Sequence, residues 1–243
     1  MQIADRVSLW GGKRLPFDAE VEWIGQTNNA QFITTKVLPP VGSILRCRFR
    51  FTDLRNSFCA IGYSTAYRFG FGIEQGTFKV STNGWSSTIM QPDTLWHNWE
   101  RDETLGTASI DDNSVGIRLH SAFSGDSWDN GFTLFRRLRY YDTYDYSTYG
   151  AQCAGLYIGT ANTALFDGIP VRMGEVGYLY DRVSGTLFGN AGTGEFIVGP
   201  DAPAMTGGGY KRLCVKRSHR RSSRPSARFW HAAHLPRTWK EVA

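Results

Sequence analysis

The sequence predicts an all-β fold, a two-sheet antiparallel sandwich of jelly-roll type. Three observations point there. The first is the run RCRFRF at residues 46–51, where polar and apolar side chains alternate strictly. Cys47, Phe49 and Phe51 then share one face, and Arg46, Arg48 and Arg50 the other, as in a strand with one buried side. The second is LYDRVSGTLFGNAGTGEFIVGP at residues 179–200, short apolar bursts punctuated by Gly185, Gly189, Asn190, Gly192, Gly194 and Gly199. Gly and Asn supply the positive φ angles of tight turns between strands. The third is composition: 27 of 243 residues are Gly and 14% are aromatic. Against a usual glycine share of roughly 7%, that balance favours strands and turns over helices.

The elements follow in order. Residues 1–14 read as an N-terminal arm with Gly11-Gly12 as its joint. The pattern turns extended at Phe17. After the strand at 46–51 and a turn at 53–56, residues 57–64 are expected to run back along it as a hairpin. Phe69, Phe71 and Ile73 recur at period two, Gly76 turns the chain, and 77–81 pairs next. Strands at 107–110 and 114–120 flank the turn Asp111-Asp112-Asn113, a hairpin signature. Further strands are predicted at 131–138, 154–160, 169–173, 176–181, 185–188 and 195–198. About a dozen short strands with Gly-rich turns make a sandwich of residues 15–203. Gly207-Gly208-Gly209 then opens a largely disordered tail at 204–243, with one short helix expected at 226–235.

Charge is divided unevenly. Residues 211–243 hold ten Lys and Arg against Glu241 alone, a balance of +9, which leaves −4 on the rest of a chain whose net charge is +5. The basic balance therefore belongs to the tail. With Phe229, Trp230 and Trp239 among its arginines, the tail suits nucleic acid or another polyanion, or is an unstructured appendage. The four cysteines, Cys47, Cys59, Cys153 and Cys214, form no CxxC pair, so buried thiols are expected rather than a disulfide framework or a zinc site. A Cys47–Cys59 approach across the expected hairpin is the alternative. Neither an apolar signal core nor a membrane-length apolar run is present in the sequence, which points to folding in a cytoplasm.

Two segments carry a family resemblance. The opening LPFDAEVEWIGQTNNAQFITT at 15–35 resembles the LPYDAEVEYIESTGTQYIDT start of concanavalin A-like (laminin-G-like) jelly-roll modules of gut phage and bacterial structural or surface proteins. The closing LYDRVSGTLFGNAGTGEFIVGPD at 179–201 resembles that family's YDxVSGxFFxNAGTGxF end. Trp96-His97, the 107–115 hairpin and Thr133-Leu134-Phe135 match more weakly. The resemblance implies a sandwich of lectin or glucanase type with a virion, surface or glycan-binding role. It implies no ligand residues. The stretch YYDTYDYSTY at 140–149 and the tail depart from the pattern.

Catalytic constellations are sparse. Asp18, Glu20 and Glu22 alternate, and on a strand their carboxylates share one face. Jelly-roll glucanases use such a pair as nucleophile and general acid; an acidic, solvated first strand is the plainer reading. The sequence has no GxSxG or GxxxxGK, and RFGFGIEQG lacks the third glycine of a dinucleotide loop. His97 reads as packed or hydrogen-bonded rather than as a base. Calcium is possible at an acidic loop, with Asp126 and Asp129 the best candidates and turn formation the rival; no other cofactor is expected. Aromatics are the stronger signal. Tyr140, Tyr141, Tyr144 and Tyr146, interleaved with Asp142 and Asp145, suit stacking on sugar faces with carboxylates for the hydroxyls. Trp85 and Trp128, on Gly- and Ser-rich loops, suit the same task. Strand cover and a protein contact surface are the other readings.

The expectation is a non-catalytic structural or adhesion module, a phage virion component of tail, fibre or head-decoration type, assembled in a host cytoplasm. Its partner is a virion or cell-surface protein or glycan, and it has the option of a homo-oligomer. A glucanase-type glycoside hydrolase and a bacterial surface lectin are the alternatives.

Overall fold

A computed structural model describes residues 9–10, 13–28, 30–54, 57–59, 69–74, 76–82, 85–117, 132–135, 138–140, 144–146 and 150–203. The predicted tail at 204–243 and the acidic loop with Asp126 and Asp129 lie outside them. Among the described residues no helix occurs, and none is long and apolar enough to cross a membrane. Every strand pair among the described residues is antiparallel.

Five short strands come first: β1 (Leu9–Trp10), β2 (Lys13–Arg14), β3 (Ala19–Glu20), β4 (Ile24–Gly25) and β5 (Ile33–Thr34). Leu9 faces Arg14, so β1 and β2 pair as a hairpin within the stretch predicted to be an arm. Next come β6 (Ile44–Phe51), β7 (Ser57–Cys59), β8 (Phe69–Glu74), β9 (Thr77–Thr82) and β10 (Trp85–Met90). Then follow β11 (His97–Asp102), β12 (Thr107–Ile110), β13 (Asn113–Gly116), β14 (Thr133–Leu134), β15 (Leu138–Tyr140) and β16 (Tyr144–Tyr146). The last are β17 (Ala151–Gly159), β18 (Ala164–Met173), β19 (Val176–Asp181), β20 (Thr186–Phe188) and β21 (Ile197–Val198).

The large sheet runs β13-β12-β11-β6-β17-β18-β19-β20, with β3 added to β18 and β4 joining β17 to β21. A second sheet runs β10-β9-β8-β7. The two meet through aromatic rings. Phe49 lies 4.2 Å from Phe71 and 6.0 Å from Phe78, and Phe71 stacks on Trp99 at 4.6 Å. Alternation delivers these rings: Cys47, Phe49 and Phe51 are buried on the inner face of β6, as the RCRFRF pattern predicts. A satellite cluster of Phe17, Val171 and Tyr180 lies beside this core, packed with Leu15, Ile169 and Tyr178.

The predicted hairpin of 46–51 with 57–64 does not form. Both edges of β6 are taken, by β11 and β17, and β7 pairs instead with β8 in the second sheet. Alternation defines a strand's two faces but leaves its neighbours open. The same pairing sets Cys47 beside Cys153: the two buried sulfurs are 3.9 Å apart, nearly twice the ~2.05 Å of a disulfide.

The opening and closing segments dock on each other. Gln31, fully buried, accepts the Thr27 amide at 2.6 Å and donates to the Glu195 carbonyl. Asn190 accepts the Phe32 amide at 3.0 Å and the Gly192 amide at 2.9 Å, and donates to the Gly194 carbonyl at 2.7 Å. A Cβ on Gly192 would stand 1.7 Å from the Ala30 carbonyl oxygen, so only glycine admits the close approach of the two loops. Val21 bridges Asp201, and the Ala202 amide donates to the Glu20 carbonyl, which brings both ends of the sandwich to one place.

Candidate functional site

The outer face of β6 collects the polar half of RCRFRF together with aromatics from three other segments. Arg46 donates to Glu100 on β11 at 2.6 Å and lies 5.7 Å from the ring of Tyr157 on β17. Arg48, 9% exposed, sits 5.8 Å from the Trp96 ring. Burial pulls its guanidinium pKa down, and the charge of Asp111 partly restores it. Arg50 lies between two indoles, 5.8 Å from Trp23 and 5.0 Å from Trp96. Its Nε donates to the buried Gln152 Oε1 at 2.5 Å. Among the described residues no carboxylate pairs with Arg50, and its two terminal nitrogens donate no hydrogen bond.

Glycines seat this arrangement. The Gly199 amide donates to the Trp23 carbonyl at 2.8 Å, and a Cβ on Gly199 would stand 2.5 Å from the Trp23 Nε1. A Cβ on Gly25 would crowd both the Trp23 ring and the Gln152 stem, at 3.1 and 3.0 Å. Bare backbone at Gly25 and Gly199 therefore makes room for the indole, whose centroid lies 5.8 Å from the Arg50 guanidinium carbon, a favourable contact for a ring quadrupole. Both tryptophans remain half-buried.

His97 fixes the segment carrying Trp96. It is 3% exposed and packs 5.4 Å from Phe78 and 6.0 Å from Phe49. Its Nδ1 meets Asp111 at 2.7 Å and its Nε2 meets Asp93 at 2.8 Å. This is the packed, hydrogen-bonded histidine that the sequence predicts. Asp111 occupies the turn between Ile110 and Asn113 at φ 50° and also accepts the Asn98 amide at 2.9 Å. Partial burial pushes the Asp93 carboxyl up, but the Leu95 amide and the His97 hydrogen bond and charge outweigh that and hold it below the usual aspartate range.

The residues chosen from sequence are distributed differently. Tyr140 ends β15 opposite Tyr144, Leu138 faces Tyr146, and Arg139 faces Asp145, so the Tyr-rich stretch contributes a short hairpin. Trp85 opens strand β10 opposite Thr82, where a loop is predicted. Tyr141, Asp142, Trp128, Asp126 and Asp129 lie outside the described residues. Among the described residues no group of three or more His, Cys, Asp or Glu is placed to hold a metal ion. Asp18, Glu20 and Glu22 are exposed, and Asp18 accepts the Gly174 amide at 2.7 Å. Packing around the Glu20 carboxyl raises its pKa, with Arg182 pulling the other way. Trp23, Trp96, Tyr157 and Gln152 were missed as site residues. They are far apart in the chain and meet only through the β4-β17-β6-β11 pairing, although the arginine stripe they join is visible in RCRFRF.

No protein-family model matches the chain, and no curated protein matches it. Among solved structures its fold is similar to that of a "putative carbohydrate binding protein" from Bacteroides ovatus ATCC 8483. The TM-score is 0.51 and the identity 11%, with 75% of this chain covered. The match takes in 62% of that protein, so this chain spans less than two thirds of its length. At this identity the likeness is one of fold, an antiparallel β-sandwich.

Proposed function

We propose that the chain is a non-catalytic glycan-binding module whose binding surface is the Trp23, Arg50 and Trp96 face. One observation carries this reading: a guanidinium, oriented by Gln152, is held between two half-buried indoles. Flat apolar rings suit the C–H faces of pyranoses, and adjacent donors suit their hydroxyls. The fold shared with the Bacteroides protein supports the reading, since that protein's description names the same class of ligand. The setting we propose is adhesion at a virion or cell surface, the virion being assembled in a host cytoplasm, with weak single sites strengthened by multivalency. Immunogold labelling of virions and cells tests the setting.

The test of function is a glycan array followed by calorimetry on the best ligand. Trp23→Ala and Trp96→Ala should each weaken binding about tenfold, the effect of losing roughly 1.4 kcal/mol. Unchanged binding in both variants overturns the proposal. The rival glucanase reading is checked on the same preparations. Release of sugars from β-glucan that disappears in Glu20→Gln and Glu22→Gln would establish hydrolysis instead.

A further inference from the structure

We infer that the ligand of this face is an acidic saccharide, one whose carboxylate is received by the terminal nitrogens of Arg50. The inference rests on the glycan reading above and adds the substrate class. Its basis is the charge along the stripe. Arg46 is matched by Glu100 at 2.6 Å, and Arg48 lies in the field of Asp111. Arg50 has no carboxylate partner among the described residues, yet it is held more tightly than a solvated surface arginine. Its Nε is committed to Gln152, and its guanidinium carbon lies 5.8 and 5.0 Å from two indole centroids.

That leaves Nη1 and Nη2, parallel donors in a fixed fork whose geometry fits a planar carboxylate in a bidentate pair. A neutral sugar would use the same donors singly and leave the positive charge unmatched. Arg50 and both indoles are half-buried, and a charged pair formed in such partly shielded surroundings is stronger than one in open water. A carboxylate carried on a pyranose ring satisfies both parts of the site, its ring against Trp23 or Trp96 and its charge against Arg50.

The experiment uses the full chain and two short probes, trigalacturonate and its methyl ester, the second being the same trisaccharide without charge. Short probes are chosen because the basic segment at 211–243 would attract long polyanions by charge alone. The wild type should bind trigalacturonate at least about tenfold more tightly than the ester, with affinity falling as salt is raised. Arg50→Gln should remove that preference, weakening trigalacturonate by the full ratio and the ester by much less. Arg50→Lys keeps the charge without the fork and should retain only part of the preference; circular dichroism establishes that both variants fold. Equal binding of the two probes overturns the inference, as does an Arg50→Gln loss that is the same for both. So does a sulfated trisaccharide binding where trigalacturonate does not. In each of these cases the glycan reading survives if Trp23→Ala and Trp96→Ala still weaken binding about tenfold. If neither tryptophan matters to any sugar, the glycan reading itself fails.

Discussion

Gly199 shows how much a single residue decides here. Its missing Cβ is the space in which the Trp23 indole lies, 2.5 Å from where that atom would be. Gly199→Ala should displace the ring, alter the near-ultraviolet circular dichroism, and lower glycan affinity several-fold without unfolding the chain. A variant that binds as the wild type does would mean that Trp23 is not a contact. Asp93 makes a second residue-level prediction. Its carboxyl is depressed in the folded protein, so the stability it contributes is fully present above its unfolded value of roughly 4 and is lost as pH falls through the folded one. Urea midpoints should therefore drop at the acid end of a series from about pH 6 to about pH 3, and Asp93→Asn should flatten part of that drop. An unaltered slope would show that the hydrogen bonds to Leu95 and His97 do not persist in solution.

Among the elements, turns and loop contacts show why glycine and asparagine stand where they do. Asp102 and Asp181 build matching turns. Each carboxylate accepts the amides two and three residues ahead and the hydroxyl of Thr104 or Ser184, with Gly106 or Gly185 closing the turn at positive φ. The Asn190 contact with Phe32 links segments 158 residues apart. Asn190→Ala should cost about 1–3 kcal/mol, the penalty for leaving backbone groups unpaired, while Gly192→Ala should cost at least about 2 kcal/mol because backbone must move. Denaturant titrations measure both, and a Gly192→Ala protein of wild-type stability would refute the close approach. How far the elements can be read from sequence depends on what faces inward. The strand at β6 is plain in RCRFRF because its inner face is wholly apolar. Strand β11, HNWERD, was missed because His97, Trp99 and Arg101 are all buried, so polar groups interrupt the hydrophobic alternation. The buried Arg101 is matched by Glu103, two residues on, at 2.7 Å. The binding face divides the same way: its arginines are periodic within one strand, whereas its indoles come from separate segments.

At the scale of the molecule, the aromatic seam between the sheets carries the stability. Phe49 touches Phe51, Phe71, Phe78 and His97, from both sheets. Phe49→Ala should cost about 3–5 kcal/mol, as large-to-small changes in packed cores do. Reductant should leave the thermal midpoint unchanged, because Cys47 and Cys153 sit at thiol rather than disulfide separation; a midpoint that falls in dithiothreitol would overturn that assignment. The meeting of the two ends has a consequence during synthesis. Strands β3 and β4 leave the ribosome early, but their partners lie on β17, β18 and β21, more than a hundred residues later. The nascent chain must hold its first apolar residues exposed until translation is nearly through the sandwich, which makes early segments such as Val21 and Ile24 natural ligands for a chaperone.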